Sequence, residues 1–297
     1  MTSRSLLIRE RVVAIGPDKN VIGILTEAAP NAGELPKSTL PNVVFLNAGV
    51  LHRVGPHRLH VILAHLLAGM GYRCLRIDLS GIGDSRNLPG TLTFRQSSVA
   101  DARAALDFLE TQGGKVPAIF FGLCSGADNG LATARIDDRV TGIVLIDPPT
   151  YATFRSQMRA LVGKLASFDG GPGRMTIWAA GVLARRIGWC LRALKQRLAR
   201  MASGDACPPS GRTPPPAKEY ARELTALLDR GVKILCIFSG ANGASYNHPN
   251  QMFESFPRLR GRLDVVYFPA ANHVFTELRA RDALIDAVSR WCRKNFS

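Results

Sequence analysis

The chain has 297 residues, of which 46% are hydrophobic, 21% charged and 7% aromatic. That composition suits a globular protein with a sizeable core and excludes a disordered tail or a collagen-like repeat; no uncharged apolar run reaches the roughly 18 residues of a membrane span. The net charge of +15 points to an anionic partner or surface without specifying a fold, and residues 150–230 contribute most of it, with fourteen basic against five acidic residues.

The N-terminus passes from Met1 into the mixed charges Arg9, Glu10 and Arg11 without the apolar segment of about 7–15 residues that marks a secretory signal, so a cytoplasmic location is expected. Short β-rich runs then recur: 11–15, 21–26, 43–47, 73–77, 118–121, 143–146, 234–238 and 265–268 read as eight strands. Gly16, Pro17, Asp18 and Asn20 give the first two a hairpin turn. Helix-length connections separate the later ones, as a mostly parallel sheet requires. Among these, Leu59, Ile62, Leu63, Leu66 and Leu67 share a helical face, and Ser97 or Ser98 is expected to cap a helix carrying Ala102, Ala105, Leu106 and Leu109. Leu284, Ile285, Val288 and Trp291 repeat the spacing near the C-terminus. Between the sixth and seventh strands the alternation stops. Residues 150–230 read as a basic, largely helical insertion with a proline-rich connector, dividing the core into 1–149 and 231–297.

The six cysteines are scattered, with no CxxC pair and no Cys/His cluster at zinc spacing, so no disulfide framework, metal or cofactor is expected. One of them stands out. Gly122-Leu123-Cys124-Ser125-Gly126 follows the fifth strand and precedes a helical segment, in the pattern Gly-x-nucleophile-x-Gly. A sharp strand-to-helix turn needs small residues two positions either side of its centre. With Cys124 at the centre these are Gly122 and Gly126; with Ser125 one would be the bulky Leu123, so Cys124 is favoured.

With this elbow, the Asp78-Leu79-Ser80-Gly81-Ile82-Gly83-Asp84-Ser85 turn and the Asn272-His273-Val274-Phe275 loop, the chain resembles the α/β-hydrolase superfamily over nearly its whole length. The resemblance implies an eight-stranded sheet flanked by helices, the insertion forming a lid. A cysteine in the nucleophile position is similar to dienelactone hydrolases, and the Leu46–Gly49 to His52–Pro56 loop to small hydrolases of exosortase or polyketide gene clusters. The resemblance makes His273 the catalytic base. The usual acid after the seventh strand is missing from residues 239–248. Asp147, at the end of the sixth strand, is the first substitute; an amide, Asn242 or Asn247, is the second.

The chemistry of the residues agrees. A cysteine at a helix N-terminus sits where backbone N–H groups favour the thiolate. The backbone N–H groups of Ser125 and Val50 are expected to hold the oxyanion. His52, Arg53 and Asn242 are expected near substrate. The expected reaction is hydrolysis of an ester or thioester through an acyl-cysteine, with the acyl group free, on coenzyme A or on an acidic carrier protein that the basic insertion would attract. Acyl transfer by the same intermediate and a catalytically silent binding protein are the alternatives. The insertion's mixed apolar and arginine-rich faces also suit an anionic membrane surface, whereas no motif supports nucleic-acid binding.

Overall fold

The computed structural model describes residues 7–29, 39–87, 90, 92–114, 117–166, 213–243 and 245–296, without the side chains of 164–166 and 242. It divides into two compact units, one formed by residues 1–156 with 215–297 and the other by 157–214. The first holds an eight-stranded sheet.

In chain order its strands are β1 (Ile8–Ile15), β2 (Val21–Ala28), β3 (Asn42–Phe45), β4 (Cys74–Ile77), β5 (Ala118–Leu123), β6 (Val140–Ile146), β7 (Lys233–Ser239) and β8 (Asp264–Phe268). They lie side by side as β1-β2-β4-β3-β5-β6-β7-β8. β1 and β2 form an antiparallel hairpin and β2 meets β4 antiparallel; the remaining pairs are parallel. The helices are α1 (Leu59–Gly69), α2 (Phe94–Gly113), α3 (Ser125–Ala134), α4 (Phe154–Ala166), α5 (Ala217–Asp229), α6 (Gln251–Ser255) and α7 (Leu278–Phe296).

The period of two along each strand divides the core into two layers. Phe45, Ile119, Phe121, Val144 and Ile237 pack with Leu59, Leu63 and Leu67 of α1 and with Leu284, Val288 and Trp291 of α7. The alternate residues Val44, Phe120, Ile143, Leu145 and Cys236 pack with Leu106 of α2, Leu131 of α3 and Leu224 of α5. Burial on both faces explains why β3 to β7 read as continuous apolar runs.

Two sequence expectations change. Thr93, not Ser97 or Ser98, caps α2: its hydroxyl accepts from the Gln96 N–H while the Gln96 side chain accepts from the Thr93 N–H. Ser98 lies one turn inside, where its hydroxyl donates to the Phe94 carbonyl. The insertion is also narrower than 150–230, because α5 buries Tyr220, Leu224 and Leu227 in the sheet's core. The rest of the expected helical lid and most of its proline-rich connector, residues 167–212, lie outside the described residues. Among the described residues no helix is long and apolar enough to cross a membrane. Cys74, Cys236 and Cys292 are buried free thiols, Cys124 is half-buried, and Cys190 and Cys207 lie outside the described residues.

His60 of α1 is fully buried between the rings of Phe45 and Phe121, each with its centroid 5.5 Å away. Burial pushes its pKa down from 6.5 to about 4, against the Arg53 carbonyl beside it and with Arg76 adding to the depression. The imidazole is neutral in the folded chain and protonates on unfolding. Between pH 6.5 and 4 the unfolded state therefore binds the extra proton, and stability falls with pH by on the order of 3 kcal/mol in total, at about 1.4 kcal/mol per pH unit. Urea unfolding at pH 7 and pH 4.5 is expected to show this loss in the wild type and a much smaller one in His60→Phe; equal losses would refute it.

Candidate active site

β5 ends at Leu123 and α3 starts at Ser125, leaving one residue to reverse the chain. Cys124 makes that turn at φ 55°, ψ −116°, a strained conformation for a residue with a Cβ. It is fixed from both sides: its N–H donates to the Ile146 carbonyl at 2.9 Å, and its carbonyl accepts from Ala127 at 3.0 Å. A Cβ at Gly122 would lie 2.2 Å from the Gly126 carbonyl, and one at Gly126 would lie 2.7 Å from the Asn47 carbonyl. Glycine at both places lets the helix close on the strand and the loop after β3 close on the helix. In that loop the Gly49 N–H donates to the Ser125 hydroxyl at 2.8 Å. Ser125 is thus a strap between the two segments.

His273 lies between β8 and α7, in a turn anchored by the Gly240 N–H to Ala271 carbonyl bond (2.9 Å), by the Asn272 carboxamide on Thr276 and by the buried Phe275. Its Nδ1 is 2.7 Å from Asp147 Oδ2, and its ring also hydrogen-bonds the Cys124 side chain. Asp147 is buried at the end of β6. Its Oδ1 accepts from the Ser239 N–H at 2.7 Å and its Oδ2 from the Ser239 hydroxyl at 2.6 Å. The Asp147 hydrogen bond, and after it the Cys124 bond, raise the His273 pKa from 6.5 to about 10 against the opposing effect of burial. The imidazolium is the favoured form at neutral pH.

The structure thus brings Cys124, His273 and Asp147 into one hydrogen-bonded chain. Asn247 is elsewhere: its carboxamide donates to the Ser156 carbonyl at 2.8 Å. Asn242 closes a 3-10 turn after β7, and its side chain lies outside the described residues. Val50 sits in the turn closed by the Leu51 N–H to Ala48 carbonyl bond, its side chain exposed. Arg53 is not a free cation facing substrate. Its Nη1 pairs with Asp78 and, at 2.8 Å, with Asp84, while its N–H donates to Asp78 Oδ1 at 2.6 Å. Half-buried His52 stands at the same carboxylates, 3.4 Å from Asp78 and 3.5 Å from Asp84. The donor atoms of His52, Asp78 and Asp84 lie within 4.8 Å of one another, a grouping suited to a cation, and the Arg53 guanidinium supplies one.

Sequence reasoning missed two residues. Ser239 stands where the acid was sought and was passed over for lacking a carboxylate. Asn47 donates to Asp78 Oδ1 (3.0 Å) and the Leu51 carbonyl (2.8 Å) and accepts from the Leu79 N–H (2.7 Å), fixing the loop after β3. Its signal was a polar residue at the end of an apolar strand.

Residues 43–287 match the profile of the alpha/beta hydrolase family, and the chain belongs to that family of enzymes. A search of curated proteins by sequence finds no match. Among solved structures, it is similar to a serine hydrolase without lid from Xanthomonas campestris (14% identity, 97% of this chain and 94% of that one, TM-score 0.52). A Pyrococcus furiosus esterase (14%, 99% and 94%, 0.54) and a putative dienelactone hydrolase from Klebsiella pneumoniae (12%, 97% and 99%, 0.54) are comparably similar. At these identities the likeness is one of fold.

Ser239→Ala removes a buried, charge-assisted hydrogen bond from Asp147 and is expected to cost about 1.5–3 kcal/mol. Urea denaturation checks this, and a cost below about 0.5 kcal/mol would show that the hydroxyl does not support the carboxylate.

Proposed function

We propose that the chain hydrolyses an ester or thioester through an acyl-cysteine intermediate. The observation that carries this reading is the single hydrogen-bonded chain from the strained elbow Cys124 through His273 to Asp147.

The raised pKa of His273 favours an imidazolium beside a thiolate. The Cys124 sulfur attacks the carbonyl carbon, and its electron pair becomes the new C–S bond while the carbonyl π pair moves onto oxygen. The Ser125 N–H, at the first position of α3 where helical N–H groups have no partner in the helix, donates to that oxyanion together with Val50 of the facing loop. Collapse expels the alkoxide or thiolate leaving group, which takes the proton from His273 Nε2. Neutral His273 then removes a proton from water as its oxygen attacks the thioester. Breakdown of the second tetrahedral intermediate frees the acid and restores the ion pair. Asp147 holds Nδ1–H throughout and so presents Nε2 to the reacting atoms.

Engagement of the Ser125 hydroxyl by the Gly49 N–H supports Cys124 over Ser125 as nucleophile. A carrier-bound thioester is supported by the basic excess of residues 150–230, and acyl transfer would follow if an alcohol or amine replaced water.

With p-nitrophenyl butanoate and with butanoyl-coenzyme A, turnover is expected with a butanoyl mass increment on the Cys124 peptide. Cys124→Ala should lose at least ~10³ and Asp147→Asn about 10²–10⁴ in kcat/KM, with Ser125→Ala retaining a large share. Iodoacetamide provides the pH test. Because His273 stays protonated up to about pH 10, alkylation of Cys124 should remain fast at pH 6.5 and slow sharply in His273→Ala. A wild-type rate that instead follows an ordinary thiol of pKa about 8.5 would defeat the ion-pair mechanism.

A further inference from the structure

A cavity of about 670 Å³ is lined by Val50, the β1–β2 turn, the loop after β4 and the N-terminal half of α2. Val50 follows Gly49, whose N–H is bonded to the Ser125 hydroxyl, so this part of the wall belongs to the loop that faces the elbow. Val50, Ile82 and Phe94 give it apolar surface. Its polar surface is a connected group: the Asn20 carboxamide donates to the Ser80 hydroxyl at 2.9 Å, and Ser80 donates through its hydroxyl (2.9 Å) and its N–H (2.7 Å) to the two oxygens of Asp101. Asp101 is buried, and burial pushes its pKa up. In a chain with net charge +15, the described residues lining this cavity include no Lys, Arg or His, and Asp101 is the one ionisable side chain among them.

We infer that this cavity is the acyl pocket of the enzyme and selects an uncharged medium-length chain carrying a hydrogen-bond donor such as a hydroxyl group, discriminating against chains that end in a carboxylate. The inference rests on the acyl-enzyme reading above and adds the substrate class. The volume matches ordinary ligand pockets of roughly 300–1,000 Å³, with the mixture of apolar wall and few polar groups such pockets have. Asp101 keeps acceptor lone pairs beyond the two bonds from Ser80, so a hydroxyl completes its hydrogen bonding. A second carboxylate there would meet the like charge of Asp101, with no cation among the described lining residues to offset it.

The test is a set of p-nitrophenyl esters carrying acetyl, octanoyl, 8-hydroxyoctanoyl and 7-carboxyheptanoyl groups. The hydroxylated chain is expected to equal or exceed octanoyl in kcat/KM, and the carboxylated chain to fall at least tenfold below it. Asp101→Asn should narrow the carboxyl discrimination to about threefold or less. Ala100 lines the cavity from an exposed position on α2, so Ala100→Trp fills the space without disturbing the core and should lower the octanoyl-to-acetyl ratio at least tenfold. Equal use of carboxylated and plain chains, or an unchanged ratio in Ala100→Trp, overturns the proposal while leaving the hydrolase reading intact. A second readout is independent of turnover. Ligand-observed NMR on the full chain should detect 1,8-octanediol binding that Ala100→Trp abolishes and octanedioate does not reproduce. That result without hydrolysis of any ester would sustain the pocket and sink the acyl-enzyme reading; octanedioate binding as well as the diol would sink the pocket.

Discussion

The contact between Gly122 and Gly126 is the constraint on which the site depends. Two turns of backbone, the end of β5 and the start of α3, approach so closely that a methyl group on either glycine would overlap main-chain atoms. Cys124 can hold φ 55° only because bonds to Ile146 on one side and Ala127 on the other leave its backbone no alternative. The strain is local, of order 1–3 kcal/mol, and the two buried layers of the sheet oppose it. In return the side chain leaves the plane of the sheet at the N-terminus of a helix. The same closeness lets Gly126 meet the Asn47 carbonyl, so one packing event sets Cys124 and the facing loop together.

The position of Asp147 follows from strand register. β6 and β7 are parallel neighbours with Ile146 opposite Ile237, so Asp147 and the Phe238-Ser239 end of β7 emerge beside one another. The Asp147 N–H donates to the Ile237 carbonyl at 2.8 Å, continuing the ladder one step past the strand. A carboxylate at either strand end is therefore within a side chain's length of the same imidazole. A carboxylate at the end of β6 requires only that the facing residue at the end of β7 be small. Ser239 meets that condition, and Gly240 lets the His273 loop lie against it: a Cβ there would sit 1.9 Å from the Pro269 carbonyl.

This relation separates what the sequence made legible from what it did not. β3, β5 and β6 are buried on both faces and announce themselves as apolar runs, and the Gly-x-Cys-x-Gly spacing follows from steric exclusion that the sequence itself records. The cap of α2 was misplaced because Ser98 has the right side chain one turn too far along, where it bonds back to Phe94. α5 reads as part of the insertion because its buried stripe of Tyr220, Leu224 and Leu227 is interleaved with charges of both signs, Lys218, Glu219, Arg222 and Glu223, and follows the proline-rich connector directly. Arg53 read as a substrate cation because its partners Asp78 and Asp84 lie some thirty positions away, and only the fold brings them together.

Ser239 is the clearest case of a role that sequence conceals, and its physical necessity can be argued. A carboxylate with no solvent exposure is costly unless its oxygens are filled with donors. His273 satisfies one such bond and leaves the other oxygen of Asp147 to be filled. Ser239 answers with two donors from one residue, its N–H to Oδ1 and its hydroxyl to Oδ2. Alanine would supply the first and not the second, and a second acid would oppose Asp147 outright. A small hydroxyl residue at the end of β7 is thus the complement of an acid at the end of β6.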